Sequence, residues 1–119
     1  MKIAFTTSGK ELSSPLDGRF GRAQRFLIYN TDSREFELID NQQNLEAAQG
    51  AGIQAAQNVA RAGAEAVVTG HCGPKAFSVL KTAGITVFNT DAPTVAEALQ
   101  RFSSGDLKPA GSADVEGHW

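Results

Sequence analysis

"EAVVTGHCGPKAFSVLKTAGITVF", Glu65 to Phe88, reads as strand, turn, helix and strand in immediate succession. "EAVVTG" holds a short apolar run, which suits a strand buried on both faces. Pro74 lacks the N–H that a first helical turn leaves unpaired anyway, so the spacing predicts a helix starting there. Phe77, Leu80 and Ala83 mark its inner side, and Gly84 ends it before the "ITVF" strand. Strand, helix, strand in this order is the building unit of an α/β sheet.

The flanking segments extend the pattern. "KIAF", Lys2 to Phe5, is a run of strand formers with a purely apolar centre. Ser8 to Gly21 has glycine, serine and proline without a sustained period, so it reads as a loop. "RFLIYN" and "EFELID" are strand-like and joined by "TDSR", a spacing that suits a hairpin. From Ala51 the period becomes helical, with Ile53, Ala56, Val59 and Ala60 on one face and a stop near Gly63. "PTVAEALQRF" is a further helix with Val95, Ala98, Leu99 and Phe102 facing inward. From Ser103 onward the chain is polar and glycine-rich and reads as a loose tail.

A hairpin followed by strand–helix units implies a mixed sheet with helices on its faces. The expected organisation is one α/β domain over residues 1–107 with a flexible tail at 108–119. Ligands of such sheets sit outside the carboxyl ends of the strands, where the chain order reverses. With the first strand and "AVVT" side by side at that reversal, the Ser8–Gly21 loop and the "GHCGP" turn emerge at one edge.

Composition narrows the function classes. The 119 residues suffice for one core, and 41% hydrophobic with 20% charged residues is ordinary for a soluble globular chain. A formal charge of -2 argues against general affinity for nucleic acid or anionic membrane. Cys72 is the only cysteine, so no internal disulfide forms and a reducing, cytoplasmic setting is expected. The start turns polar too soon for a signal peptide, and no apolar run approaches the roughly 20 residues that span a bilayer.

Two stretches carry chemistry. In "GHCGP", Gly70 and Gly73 permit a tight bend and close approach of a ligand. The helix beginning at Pro74 offers N–H groups and a positive dipole end to an anion. Cys72 just before that terminus is placed to favour thiolate, and His71 is positioned to assist it or to bind metal. The alternative is a plain strand-to-helix turn with Cys72 as a small filler. A cysteine phosphatase needs an arginine shortly downstream, and Gly73 to Lys81 has none. His71 is adjacent to Cys72 rather than across a site from it, which disfavours a cysteine–histidine hydrolase. "TTSGKE" has only the Gly-Lys fragment of a P-loop, and one cysteine with two histidines cannot build a tetrahedral zinc or four-cysteine cluster site.

The second stretch is "LDGRFGRAQRF", where Arg19, Arg22 and Arg25 recur every three residues among Gly18, Phe20 and Gly21. Fixed guanidinium charges suit multi-oxygen or multi-sulfur anions, and Phe20 supplies either an apolar wall or an anchor into the core. The competing reading is a solvated basic loop, with Lys10 of "GKE" solvated as well.

Taken together, "LDGRFGRAQRFLIYN", "GAGIQAAQ", "AVVTGHCGPKAFSVLKTAGITVF" and "PTVAEAL" resemble the dinitrogenase iron–molybdenum cofactor biosynthesis family, which includes the orange proteins of sulfate-reducing bacteria. The resemblance runs in order from about Met1 to Leu107. It implies a ribonuclease-H-like three-layer fold, with a mixed five-stranded sheet and helices on both faces. It also implies a non-catalytic role in carrying or inserting a metal–sulfur cluster (a molybdenum–copper or molybdenum–iron sulfide). Partner ATPases of the Mrp/MinD type are implied for the orange-protein branch. Nitrogenase accessory members often have histidine where this chain has Arg19, so a charge replaces a coordinating ligand. The middle of "GHCGP" varies in the family, so neither His71 nor Cys72 inherits a ligand role.

The resulting expectation is electrostatic capture of a preassembled anionic cluster by Ser8, Arg19, Phe20, Gly21, Arg22, Gly70, His71, Cys72 and Gly73. Cys72 and His71 are optional metal ligands. The alternatives are a small thiol-dependent enzyme using Cys72, or a regulatory scaffold for a partner ATPase. A ribonuclease-H nuclease is disfavoured because "KIAF" contains no carboxylate to bind magnesium, and Asp17 and Asp91 stand isolated in the sequence.

Overall fold

The computed structural model describes residues 1–41 and 51–111. The last part of the expected tail, 112–119 with His118 and Trp119, lies outside them. Five strands form one mixed sheet: β1 (Lys2–Thr7), β2 (Arg25–Asn30), β3 (Phe36–Asp40), β4 (Ala66–Thr69) and β5 (Thr86–Asn89). Their spatial order is β3-β2-β1-β4-β5. β1 pairs antiparallel with β2 and parallel with β4, β2–β3 is the expected antiparallel hairpin, and β4–β5 is parallel. The direction of travel therefore reverses at β1, as the sequence implied. β1 reaches two residues past the expected "KIAF", because Thr6 and Thr7 are β-branched and stay on the ladder opposite Phe26 and Arg25.

The period-two alternation of these strands builds two cores. Ala4, Phe26, Ile28, Val67 and Val87 point to one face, where α1 (Ala51–Arg61) and α2 (Pro74–Thr82) cover them with Ala55, Ala56, Val59, Ala76 and Leu80. Ile3, Phe5, Leu27, Ala66 and Val68 point to the other, under Val95 and Ala98 of α3 (Val95–Ser103). Among the described residues the result is three layers, with two helices on one face and one on the other. Gly63 (φ +85°) and Gly84 (φ +79°) follow α1 and α2 in the left-handed conformation that ends helices. α3 starts at Val95 rather than at Pro93, because Thr94 caps it, its Oγ1 accepting from the Glu97 N–H at 3.1 Å.

Two expectations about faces change. Ala83 is exposed rather than inward, because α2 stops at Thr82 and Ala83 serves as its cap. Its inner side is carried by Ala76 and Leu80, with Phe77 only half-buried. The described part of the tail is also tied down. Leu107 packs on the α3-side core, Ala110 packs on the other, and the Ala110 N–H donates to the Val87 carbonyl at 2.8 Å. Pro109 bridges to Phe88, so this segment covers the outer edge of β5. Two apolar pins spaced three residues apart in a polar stretch show no period, which is why the sequence reads as loose there.

Candidate functional site

The carboxyl ends of β1, β4 and β5 point to one edge of the sheet, since the three strands are parallel. Three connecting segments leave there: the loop after β1, the turn after β4 and the loop after β5. They are laced to one another by hydrogen bonds. The Phe20 N–H donates to the His71 carbonyl at 3.1 Å, the Leu16 N–H to the Pro93 carbonyl at 3.1 Å, and Asn89 Nδ2 to the Gly70 carbonyl at 3.1 Å. Arg19 and His71 form a one-residue parallel bridge. The adjacency inferred from topology is thus present, with residues 18–22 alongside 70–74.

Buried hydroxyls fasten the loop to its strand. Thr6 Oγ1 donates to the Asp17 carbonyl at 2.6 Å and lies 2.9 Å from Thr69 Oγ1, on the neighbouring strand. Thr7 Oγ1 donates to the Pro15 carbonyl at 2.7 Å. These side chains are fully enclosed, so each hydroxyl needs a partner, and loop carbonyls supply it. Arg25 Nη1 donates to the Ser8 and Gly9 carbonyls at 2.6 and 3.3 Å, holding the first turn of the loop. Arg25 is therefore a clamp on the scaffold.

Between the three segments lies an open hollow of about 580 Å³, lined by Leu16, Gly18, Gly70, His71 and Asn89 to Pro93. Of the expected residues, Gly70 and His71 line it directly. Arg19 is exposed at its rim, next to Gly18 in the chain and bridged to His71. Its Nε stands 4.0 Å from Asp17 Oδ1, which also accepts from the Arg19 backbone N–H at 2.9 Å. Arg22 is half-buried and Ser8 is exposed; neither is among the lining residues.

Phe20, Gly21, Cys72 and Gly73 behave differently from a liganding set. Phe20 is fully buried against Phe26, with ring centroids 5.3 Å apart, so it is the anchor of the arginine loop and not a wall of the hollow. Gly21 and Gly73 are buried. Cys72 is 1% exposed and belongs to the core under α1 and α2, its Sγ 3.8 Å from the Gly73 carbonyl. Alternation places it: His71 turns outward, so the next side chain turns inward. A thiol enclosed by apolar groups is a small hydrophobe, not a ready nucleophile or metal ligand. Cys72→Ala should accordingly cost only about 1 kcal/mol of stability, the scale of a small core truncation. Ligand uptake in the hollow should be unchanged, as judged by urea melts and absorbance titration.

The third wall, "NTDAP" from Asn89 to Pro93, went unnoticed as a site in the sequence. A signal was present: a turn-forming run directly after a strand parallel to "AVVT" must emerge at the same edge. Asp91 ion-pairs with Arg101 of α3 at 2.7 Å, and Arg101 also donates to Thr90 Oγ1 at 3.3 Å. The guanidinium, by hydrogen bond and then by charge, holds the Asp91 carboxyl below the usual carboxylate range. Asp17, on the loop after β1, and Asp91, on the loop after β5, each stand beside an arginine. Among the described residues no group of three or more His, Cys, Asp or Glu converges to hold a metal ion. The lining itself offers main-chain groups, the Asn89 amide, the Thr90 hydroxyl, an exposed histidine and the Asp91 carboxylate, with Arg19 bridged to His71 and Arg101 paired to Asp91 beside it.

Comparison with known proteins agrees with this architecture. The apo form of the orange protein from Desulfovibrio gigas is 39% identical, with a TM-score of 0.93 over 96% of each chain. A Thermotoga protein of the DUF35 family, solved by NMR, is 35% identical with a TM-score of 0.85 over 98% of each chain. An uncharacterized Methanocaldococcus jannaschii protein is 32% identical over 111 residues, covering 91% of this chain and 90% of its own length. The family model described as dinitrogenase iron-molybdenum cofactor matches residues 1–105. The chain therefore belongs to the dinitrogenase iron–molybdenum cofactor family.

Proposed function

We propose that this protein is a non-catalytic carrier for an anionic metal–sulfur cluster, held in the hollow at the carboxyl ends of β1, β4 and β5 and passed on in cluster assembly or delivery. One observation carries the reading. The arginine loop and the glycine-flanked turn are hydrogen-bonded side by side, with Arg19 bridged to His71 at the mouth of the hollow. Membership of a family described by the iron–molybdenum cofactor supports the class of guest.

The donor set fits such a guest better than a bare metal ion. A thiometallate brings its own sulfides, so it needs hydrogen-bond donors and positive charge, not a cage of protein ligands. Arg19 and His71 supply these at the rim. The carboxylates of Asp17 and Asp91 would repel an anion, but each stands beside an arginine. In this reading the metals are molybdenum with copper or iron, and Arg22 adds to the positive potential. Main-chain donors of the 70–73 turn and the α2 start add N–H groups. The ribonuclease-H-like name of the fold, the cytoplasmic setting and partner ATPases of the Mrp/MinD type belong to the same reading and rest on the resemblance. A thiol-dependent enzyme is disfavoured by the burial of Cys72.

The test is anaerobic titration with tetrathiomolybdate and copper(I), followed by visible absorbance and metal analysis. Uptake by the parent chain is expected to saturate and to weaken with salt, because exposed charges are screened within about 10 Å at 0.1 M. Arg19→Ala should weaken it about tenfold or more, since a charge-assisted hydrogen bond contributes about 1.5–3 kcal/mol. An Arg19→Ala titration that overlays the parent would remove the charge from the explanation.

A further inference from the structure

Arg101 lies on α3, far in sequence from either stretch that marks the site. Its guanidinium nonetheless contacts two residues that line the hollow, Thr90 at 3.3 Å and Asp91 at 2.7 Å. The partner that holds it stands in solvent. The Asp91 side chain is 97% exposed, whereas that of Arg101 is 35% exposed, steadied by Glu97 at 3.5 Å one helical turn away. An ion pair with a fully solvated partner is worth little and exchanges readily. A multiply charged anion in the hollow would compete with Asp91 for the same fork and offer it more charge.

We infer that Arg101 is a third cationic contact for the anionic guest, kept occupied by Asp91 in the empty protein and handed over when the guest enters. This inference rests on the carrier reading and names a residue of that same site. Asp91 is then a built-in counter-ion: it screens the rim while the hollow is empty and sets a threshold that a weakly charged anion does not pass. The chemistry selects multiply charged, polarisable anions over chloride or carboxylates, since only the former repays displacement of the aspartate. The 89–93 loop supports the exchange, because Asn89 and Pro93 are anchored to the neighbouring segments while Asp91 projects between them.

The test is a double-mutant cycle in the full chain, with tetrathiomolybdate plus copper(I) as the probe. Asp91→Asn is expected to tighten uptake about threefold, and Arg101→Ala to weaken it about threefold, the scale of an exposed ion pair. Measured at high salt, where plain repulsion between Asp91 and the guest is screened, the gain from Asp91→Asn should shrink when Arg101 is already alanine. In side-chain nitrogen NMR, the Arg101 Nε resonance should shift on titration with the probe and shift earlier in Asp91→Asn. Arg101→Lys, which keeps the charge and helix propensity, guards against a folding artefact and should bind between Arg101→Ala and the parent. Equal gains from Asp91→Asn with and without Arg101, or a stationary Arg101 resonance in a protein that takes up the probe, would overturn the inference while leaving the carrier reading intact. No uptake by the parent chain would overturn both.

Discussion

Gly70→Ala is expected to lower stability by about 2–3 kcal/mol, the cost of forcing a methyl into a packed site. A midpoint of thermal unfolding roughly 10 °C below the parent should accompany it. A Cβ built on Gly70 would stand 2.7 Å from the Gly18 Cα and 2.8 Å from its carbonyl oxygen. Both atoms are main chain, so no side chain can swing aside. Gly70 and Gly18 are where the turn after β4 meets the loop after β1, and the two backbones touch because Gly70 carries no side chain. The methyl must therefore push the two segments apart and strain the Phe20–His71 hydrogen bond that holds them. The control is Gly18→Ala, whose added carbon meets nothing within 4 Å and should melt like the parent. Cluster uptake should fall in Gly70→Ala even at temperatures where the chain is folded. Equal melting of the two variants would refute the close approach of the two loops.

This contact explains which parts of the molecule were legible in sequence. The strands and helices were readable because their apolar residues recur with a period that a packed face demands, as in "AVVT" or Val95, Ala98 and Phe102. The caps were readable because Pro74, Gly63 and Gly84 each solve a backbone problem that few residues solve. The side-by-side placement of loop and turn followed from strand order alone. What escaped was settled by packing at single residues. Phe20 and Cys72 sit inside glycine-rich, polar runs, and nothing local says that one aromatic and one thiol turn inward while Arg19 and His71 turn out. The Asp91–Arg101 pair joins residues that no motif connects, and Leu107 with Ala110 pins the chain by shape alone. The site was therefore legible as a location and only partly as a list of side chains.

Phe20→Ala should be the most damaging change in the binding loop, although the guest does not touch that ring. Phe20 is fully buried and tilted at 40° against Phe26 of β2, in the core beneath α1 and α2. Truncating a buried phenylalanine costs about 3–5 kcal/mol, from lost burial and the cavity left behind. Set against total stabilities of about 5–15 kcal/mol, that brings the chain near its threshold. The consequence for function is more specific than lost stability. Phe20 lies between Arg19 and Arg22, and its N–H holds His71, so the ring is what fixes the arginines against the turn. Without it the loop keeps its charge but loses its position, and the guest should bind weakly and with the salt dependence of an unstructured basic segment. Phe20→Leu, nearly conserving apolar volume, should recover most of the stability and most of the uptake. Stability and uptake are thus expected to rise and fall together across Phe, Leu and Ala at this position. A Phe20→Ala protein that melts within about 1 kcal/mol of the parent would show that the ring is no anchor. One that is destabilised yet binds tetrathiomolybdate with parental affinity would show that the guest does not need the loop held in place.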